Sequence, residues 1–210
     1  MRPHNIVSVS TERSYYVQDS PLANELFGNV RWAWIWLSLR LYLGWQWLAA
    51  GWGKLHNPAW TGDKAGSAIT GFVTNALTKT GSEHPDVQGW YAWFLQHLVL
   101  THTTIWSYMI SWGETLVGIA LILGLFTGIA AFFGSFMNTN YLLAGAVSIN
   151  PILFIIATWL VLAWKTAGWW GLDRWILPIL GTPWKPGYVF HREQTVEELR
   201  VMENPSSHKV

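Results

Sequence analysis

The chain has no cysteine, and charged residues make up only 12% of its 210 positions. Without cysteine there is no disulfide, no thiol redox step, no iron–sulfur cluster and no Cys-ligated haem. A net charge of +1 argues against nucleic acid as a partner, because a phosphate-binding face needs a basic excess. Histidine is also absent where a haem would need it. His56, His84, His97 and His102 all fall in one polar connection, and none lies in a long apolar run. The five-residue spacing of His97 and His102 suits joint ligation from one helix face poorly. No haem, flavin or metal motif is evident, and the expected metal set is none. There is no internal repeat and no second globular domain. No apolar core follows the early basic residues, so residues 1–30 do not read as a cleaved signal peptide, and the first apolar run is expected to act as a signal anchor.

What the chain has is apolar length and tryptophan: 51% hydrophobic residues and 17 Trp. Low charge gathered away from long apolar runs reads as an integral membrane protein. Trp at this density fits aromatic belts at the two membrane surfaces. The expected fold is all-α: a bundle of four transmembrane helices with a long first connection carrying short interfacial helices. The spans are expected at about 31–54, 105–126, 128–148 and 152–169, with the connection at 55–104. Residues 1–30 and 171–210 would be polar cytoplasmic ends, the first with a short helix from Ser20-Pro21, the second with an acidic helical stretch over Glu193–Glu203. Within the connection, Gly66–Leu77 predicts a short helix. Trp90–Leu100 is amphipathic and too short to span, which predicts a helix lying along the membrane surface or plugging the bundle mouth.

Arg31–Lys54 is the ordering stretch. At ~1.5 Å per residue it makes a helix of about 36 Å, enough for a hydrocarbon core of roughly 30 Å. Arg40 does not belong in lipid. A cation near a span's centre costs about 2.5–3.5 kcal/mol on insertion scales, so it must face protein or water. Arg40, Gly44, Trp47, Gly51 and Lys54 share one side of the helix, which is therefore the packing side. Ser107, Ser111, Glu114 and Gly118 form a small polar side on the second span. Ala131, Ser135, Asn138, Leu142 and Gly145 form one on the third. Glu114 is the only acid between Val87 and Leu172. Depths counted from the expected cytoplasmic edges place Arg40, Glu114 and Asn138 about 13–15 Å deep. They predict an Arg40–Glu114 ion pair braced by Asn138, with Lys54 about 21 Å further along the helix. Such a pair either fixes helix register or marks a proton path or polar headgroup site.

Arg2, Arg13, Arg31, Arg174, Lys185, Arg192, Arg200 and Lys209 lie outside the spans on the side of the termini. Lys54, Lys64 and Lys79 lie on the connection and its edge. The positive-inside rule then puts both termini in the cytoplasm.

LRLYLGWQWLAAGWGKL in the first span, SWGETLVGIALILGLFTGIAAFFG across the next two and AGWWGLDRWILP after the fourth together resemble the DoxX/DoxD family of small four-helix membrane proteins. GFVTNALTKTGSEHPDVQGWYAWFLQHLVL resembles the long first connection of many bacterial members. The likeness covers roughly residues 31–185. It departs at Leu100-Thr101-His102, where similar members tend to have Leu-Pro-Asn. The resemblance implies a multi-pass protein of a bacterial or archaeal cytoplasmic membrane. Its best-defined relatives, the DoxD subunits of thiosulfate:quinone oxidoreductase, work with a DoxA partner. Arg40, Lys54 and Glu114 occupy the recurrent polar positions and are the candidate catalytic residues. Trp47, Asn138, Trp90 and Phe94 are the candidate lining of a quinone slot, and Lys54 is a candidate attractor for an anion such as thiosulfate. Two functions stay open: a quinone-linked subunit of a membrane redox complex, in contact with lipid and other redox subunits, or a non-catalytic accessory subunit or scaffold of a larger respiratory or photosynthetic membrane complex.

Overall fold

The computed structural model describes residues 20–181, and these are all-helical. Four longer helices carry the architecture: α1 (Ala33–Leu55), then, after a connection containing α2 (Ser67–Leu77) and α3 (Gly89–Phe94), α4 (Thr103–Leu123), α5 (Thr127–Leu143) and α6 (Asn150–Leu162). A short α7 (Asp173–Ile179) follows. α1 packs on α4, α4 on α5, α5 on α6, and α6 back on α1. The four form a closed ring around a core that includes Leu43, Trp47, Leu121, Ala131, Ala157 and Leu160. A second apolar cluster, with Ile69, Val73, Tyr91, Leu95 and Val99, lies where α2 and α3 cover the ring.

Local sequence explains the breaks. α1 stops at His56, where extended Asn57 accepts from the Ala59 backbone N–H (3.0 Å) ahead of Pro58, a proline suited to a first helical turn. α4 stops at Gly124, which takes a left-handed φ of 65° that glycine adopts without penalty. Ser20-Pro21 does start a short helical turn, Pro21–Ala23. Glu25 then accepts from Asn29 and Trp32, and these bonds, Asn29's first, hold its carboxyl below the usual range. The short helix expected from Gly66 begins at Ser67. The Glu193–Glu203 stretch lies outside the described residues.

Three expectations change. α3 is not a separate surface helix. It runs on through a wide π-type turn (Leu95–Val99) and a tight 3-10 turn (Leu100–His102) into α4. The resulting run, Gly89–Leu123, is the one among the described residues that is long and apolar enough, by length and composition, to cross a membrane. α1 is long but carries Arg40, Gln46 and Lys54 among its tryptophans. The third and fourth helices end earlier than expected, at Leu143 and Leu162, the latter followed by a separate turn, Trp164–Ala167.

The packing side of α1 is the expected one: Arg40, Gly44, Trp47 and Gly51 are all buried. It meets the small side of α4 at backbone range. A Cβ on Gly118 would lie 2.7 Å from the Leu48 Cα, and one on Gly51 would lie 2.9 Å from the Thr115 Cα. Away from this contact the helices present large apolar side chains outward, among them Trp45, Trp52, Trp112, Leu116, Phe132, Phe136 and Trp159. Apolar exposure on this scale marks an interaction surface rather than a water-facing one.

Gly118→Ala is expected to destabilise the fold by about 1–3 kcal/mol, because backbone must move to admit the methyl. Gly53→Ala, which meets nothing within 4 Å, should instead leave stability unchanged or raise it by up to about 1 kcal/mol. Chemical denaturation in detergent micelles, followed by tryptophan fluorescence, measures both.

Candidate functional site

The register set by the glycine contacts decides the polar partners. Gly44 faces Leu121 and Ile122, Leu48 faces Gly118, and Gly51 faces Thr115. One turn further along, Lys54 comes opposite Glu114. Its Nζ donates to Glu114 Oε2 at 2.6 Å. The other carboxylate oxygen accepts from the Tyr141 hydroxyl on α5 at 2.5 Å. Glu114 is 1% exposed and Lys54 18%. The three residues thus form a chain from the partly open Lys54 through a buried carboxylate to Tyr141. Trp60 lies under the ammonium, 5.0 Å from Nζ to the ring centre.

The expected Arg40–Glu114 pair does not form. Arg40 lies at the other end of α1, where its Nη2 donates to the Trp170 carbonyl at 3.1 Å and Asp173 supplies the nearby negative charge. The depth count failed because the helix ends are not flush: α4 ends at Gly124 beside Arg40, so the stretch of α1 before Arg40 extends past it. Gly124 and Gly171 leave room for the guanidinium, and a Cβ on Gly171 would lie 2.6 Å from Nη1. Buried Asp173 accepts from the backbone N–H of Phe126 (2.5 Å) and of Thr127 (2.9 Å). It acts as a remote N-cap for α5, where unpaired N–H groups and the helix dipole favour an anion. Asn138 braces neither charge; it is fully buried, and neither its side-chain oxygen nor its nitrogen has a protein partner.

Between α2, the α3–α4 run and α5 lies a cavity of about 450 Å³. Phe72, Val73, Phe94, Trp106, Ile110, Phe133, Phe136 and Met137 make its walls largely apolar; Tyr91, Asn140 and Tyr141 are its polar members. This is the size of site that takes a small apolar molecule or cofactor. Of the expected slot residues Phe94 lines it. Trp47 and Asn138 are in the ring's core, and Trp90 is 64% exposed. Lys54 is engaged by Glu114, so the anion-attracting role expected of it competes with an internal carboxylate. His97 bonds back to Trp93 and stacks on its ring, and among the described residues no group of His, Asp and Glu is arranged to hold a metal ion. Tyr141 and the cavity were not foreseen. The available signal was a hydroxyl-bearing aromatic three residues after Asn138, on the helix facing the only buried acid of α4.

Lys54→Met is expected to cost about 3–5 kcal/mol, because it strands a buried carboxylate. Combining it with Glu114→Gln should recover most of that loss, a non-additivity read by denaturation of the two single variants and the double. At the other end, Asp173→Ala should cost about 1–3 kcal/mol through the two N–H groups it leaves unpaired.

Neither a curated protein nor a solved structure matches the chain. A family does: the model of the DoxX family matches residues 35–144. That span runs from Ile35, near the start of α1, to the end of α5, and takes in Arg40, Lys54, Glu114, Tyr141 and the cavity lining, while Asp173 lies beyond it. With more than half of its length matched, the chain belongs to the DoxX family of membrane-associated proteins.

Proposed function

We propose that this protein is a four-span subunit of a membrane redox complex, and that its bundle holds a quinone-class carrier in the cavity between α2, α3–α4 and α5. In this reading α1, α4, α5 and α6 cross the membrane. Their large outward apolar residues face lipid, and both termini lie in the cytoplasm, as the Lys/Arg distribution favours. The observation that carries the reading is the cavity itself. It is apolar, lies in the bundle, and has in its wall a tyrosine bonded to the buried carboxylate of an ion pair. Intramembrane ionisable groups of this kind commonly serve a ligand or a proton path. Glu114 and Lys54 set the charge behind the site, and Tyr141 is the group that meets the ligand. Arg40 and Asp173, at the far end, hold the helices in place. A DoxA-like partner, as in thiosulfate:quinone oxidoreductase, would exchange electrons with the carrier.

Equilibrium binding of a decyl-tailed benzoquinone to the purified full chain tests this. Saturable binding is expected, with loss in Gly113→Leu, whose side chain would enter the cavity beside Met137. A folded protein that takes up neither the quinone nor its quinol refutes the reading and leaves the accessory-subunit role. Because the chain has no cysteine, single cysteines at Glu83 and Ser206 report topology directly. Glu83→Cys should react with an impermeant maleimide from outside intact cells, and Ser206→Cys only after the cells are opened.

A further inference from the structure

The polar groups of the cavity wall are not distributed evenly between donors and acceptors. The Tyr141 hydroxyl proton goes to Glu114 Oε1. The Tyr91 hydroxyl proton goes to Asn140, whose backbone oxygen is at 2.9 Å and side-chain oxygen at 3.1 Å. Trp106 donates its Nε1–H to the Leu98 carbonyl at 3.1 Å, and Asn140 donates from Nδ2 to the Phe136 carbonyl at 2.8 Å. Every donor-bearing side chain of the lining is thus engaged within the protein. What is left is one amide proton of Asn140 against the lone pairs of two phenol oxygens, with the thioethers of Met109 and Met137 as weak acceptors. The Tyr141 oxygen is the strongest of these. Its proton is held by a carboxylate that is itself held by Lys54, and chains of hydrogen bonds polarise one another in a low dielectric.

We infer that the cavity selects a ligand that donates hydrogen bonds: an apolar molecule carrying phenolic hydroxyls, the reduced quinol rather than the oxidised quinone. This rests on the quinone-class reading above and specifies its redox state. A quinone carbonyl entering the cavity would find few free donors and would forfeit its hydration. A quinol hydroxyl donates to Tyr141 Oη without disturbing the Tyr141–Glu114 bond. Tyr91 offers a second acceptor. The reduced form is therefore the resident one, and the protein retains the carrier after reduction or collects it for oxidation elsewhere.

The test compares three probes on the full chain in detergent under anaerobic conditions: the decyl-tailed benzoquinone, its quinol, and the dimethyl ether of that quinol, which keeps the shape and loses both donors. The quinol should bind about 3- to 10-fold more tightly than either of the others, the worth of one net hydrogen bond. Tyr141→Phe should erase most of that advantage, read as the ratio of quinol to quinone affinity in the variant against the same ratio in the unaltered chain. Should Tyr141→Phe fail to fold for want of its bond to Glu114, Tyr91→Phe serves instead, since Tyr91 does not touch the ion pair; it should narrow the gap. If quinone binds as tightly as quinol, or more tightly, the selectivity is wrong and the cavity reading stands. If none of the three binds saturably to the folded chain, the cavity reading fails and the selectivity with it.

Discussion

The contact of Leu48 with Gly118 sets the rest of the molecule. Two helix backbones meet there with no side chain on the α4 side, and the close approach admits a single register. A slip by one turn would press a Cβ of one helix into the backbone of the other. Once α1 is held in this register, Lys54 comes to Glu114 and Arg40 comes to the end of α4. The ion pair does not choose the helix alignment alone; the glycines place it, and the charges then penalise any other alignment, since each misplaced charge would be buried without a partner.

Both ends of α1 use this register, in different ways. At the Arg40 end, a backbone carbonyl, a remote carboxylate and the start of α5 converge, and the outcome is rigidity. At the Lys54 end, the pair is shared with a tyrosine that also borders the apolar cavity. The same kind of buried charge therefore stiffens one end of the bundle and equips the other. The difference comes from the covering elements. α7 and its leading loop close the Arg40 end, whereas α2 and α3 roof the Lys54 end with large aromatic side chains that leave a cavity beneath them.

Much of the architecture was legible in the sequence, because it follows from local pattern. The buried face of α1, the small side of α4, the turn at Gly124 and the helix at Ser67–Leu77 all follow from spacing and from glycine and proline placement. The charge partners were not legible. Depth was counted from helix edges taken as flush, and α1 extends past the end of α4. The glycine contacts that would have corrected the count are visible as residues but not as pairs. The covering place of α3 agrees with a helix that plugs the bundle mouth, but its continuity with α4 was not legible, because its apolar run is short on its own and only the irregular turns at Leu95–His102 join the two. The cavity lay beyond sequence reasoning altogether, since its walls come from three separate stretches and each contributes ordinary core residues.

The Asp173 cap has a consequence for biogenesis. Arg40 lies on the first of the four long helices, yet its carbonyl acceptor at Trp170 and its countercharge at Asp173 emerge from the ribosome only after the fourth. The N-terminus of α5 waits for the same residues. Until they arrive, the early helices hold an unmatched cation and an open helix end. The bundle locks only when nearly the whole described chain has been synthesised. Residues 170–173 therefore act as a completeness check, since a chain that stops short of them leaves Arg40 without its carbonyl and the start of α5 without its cap.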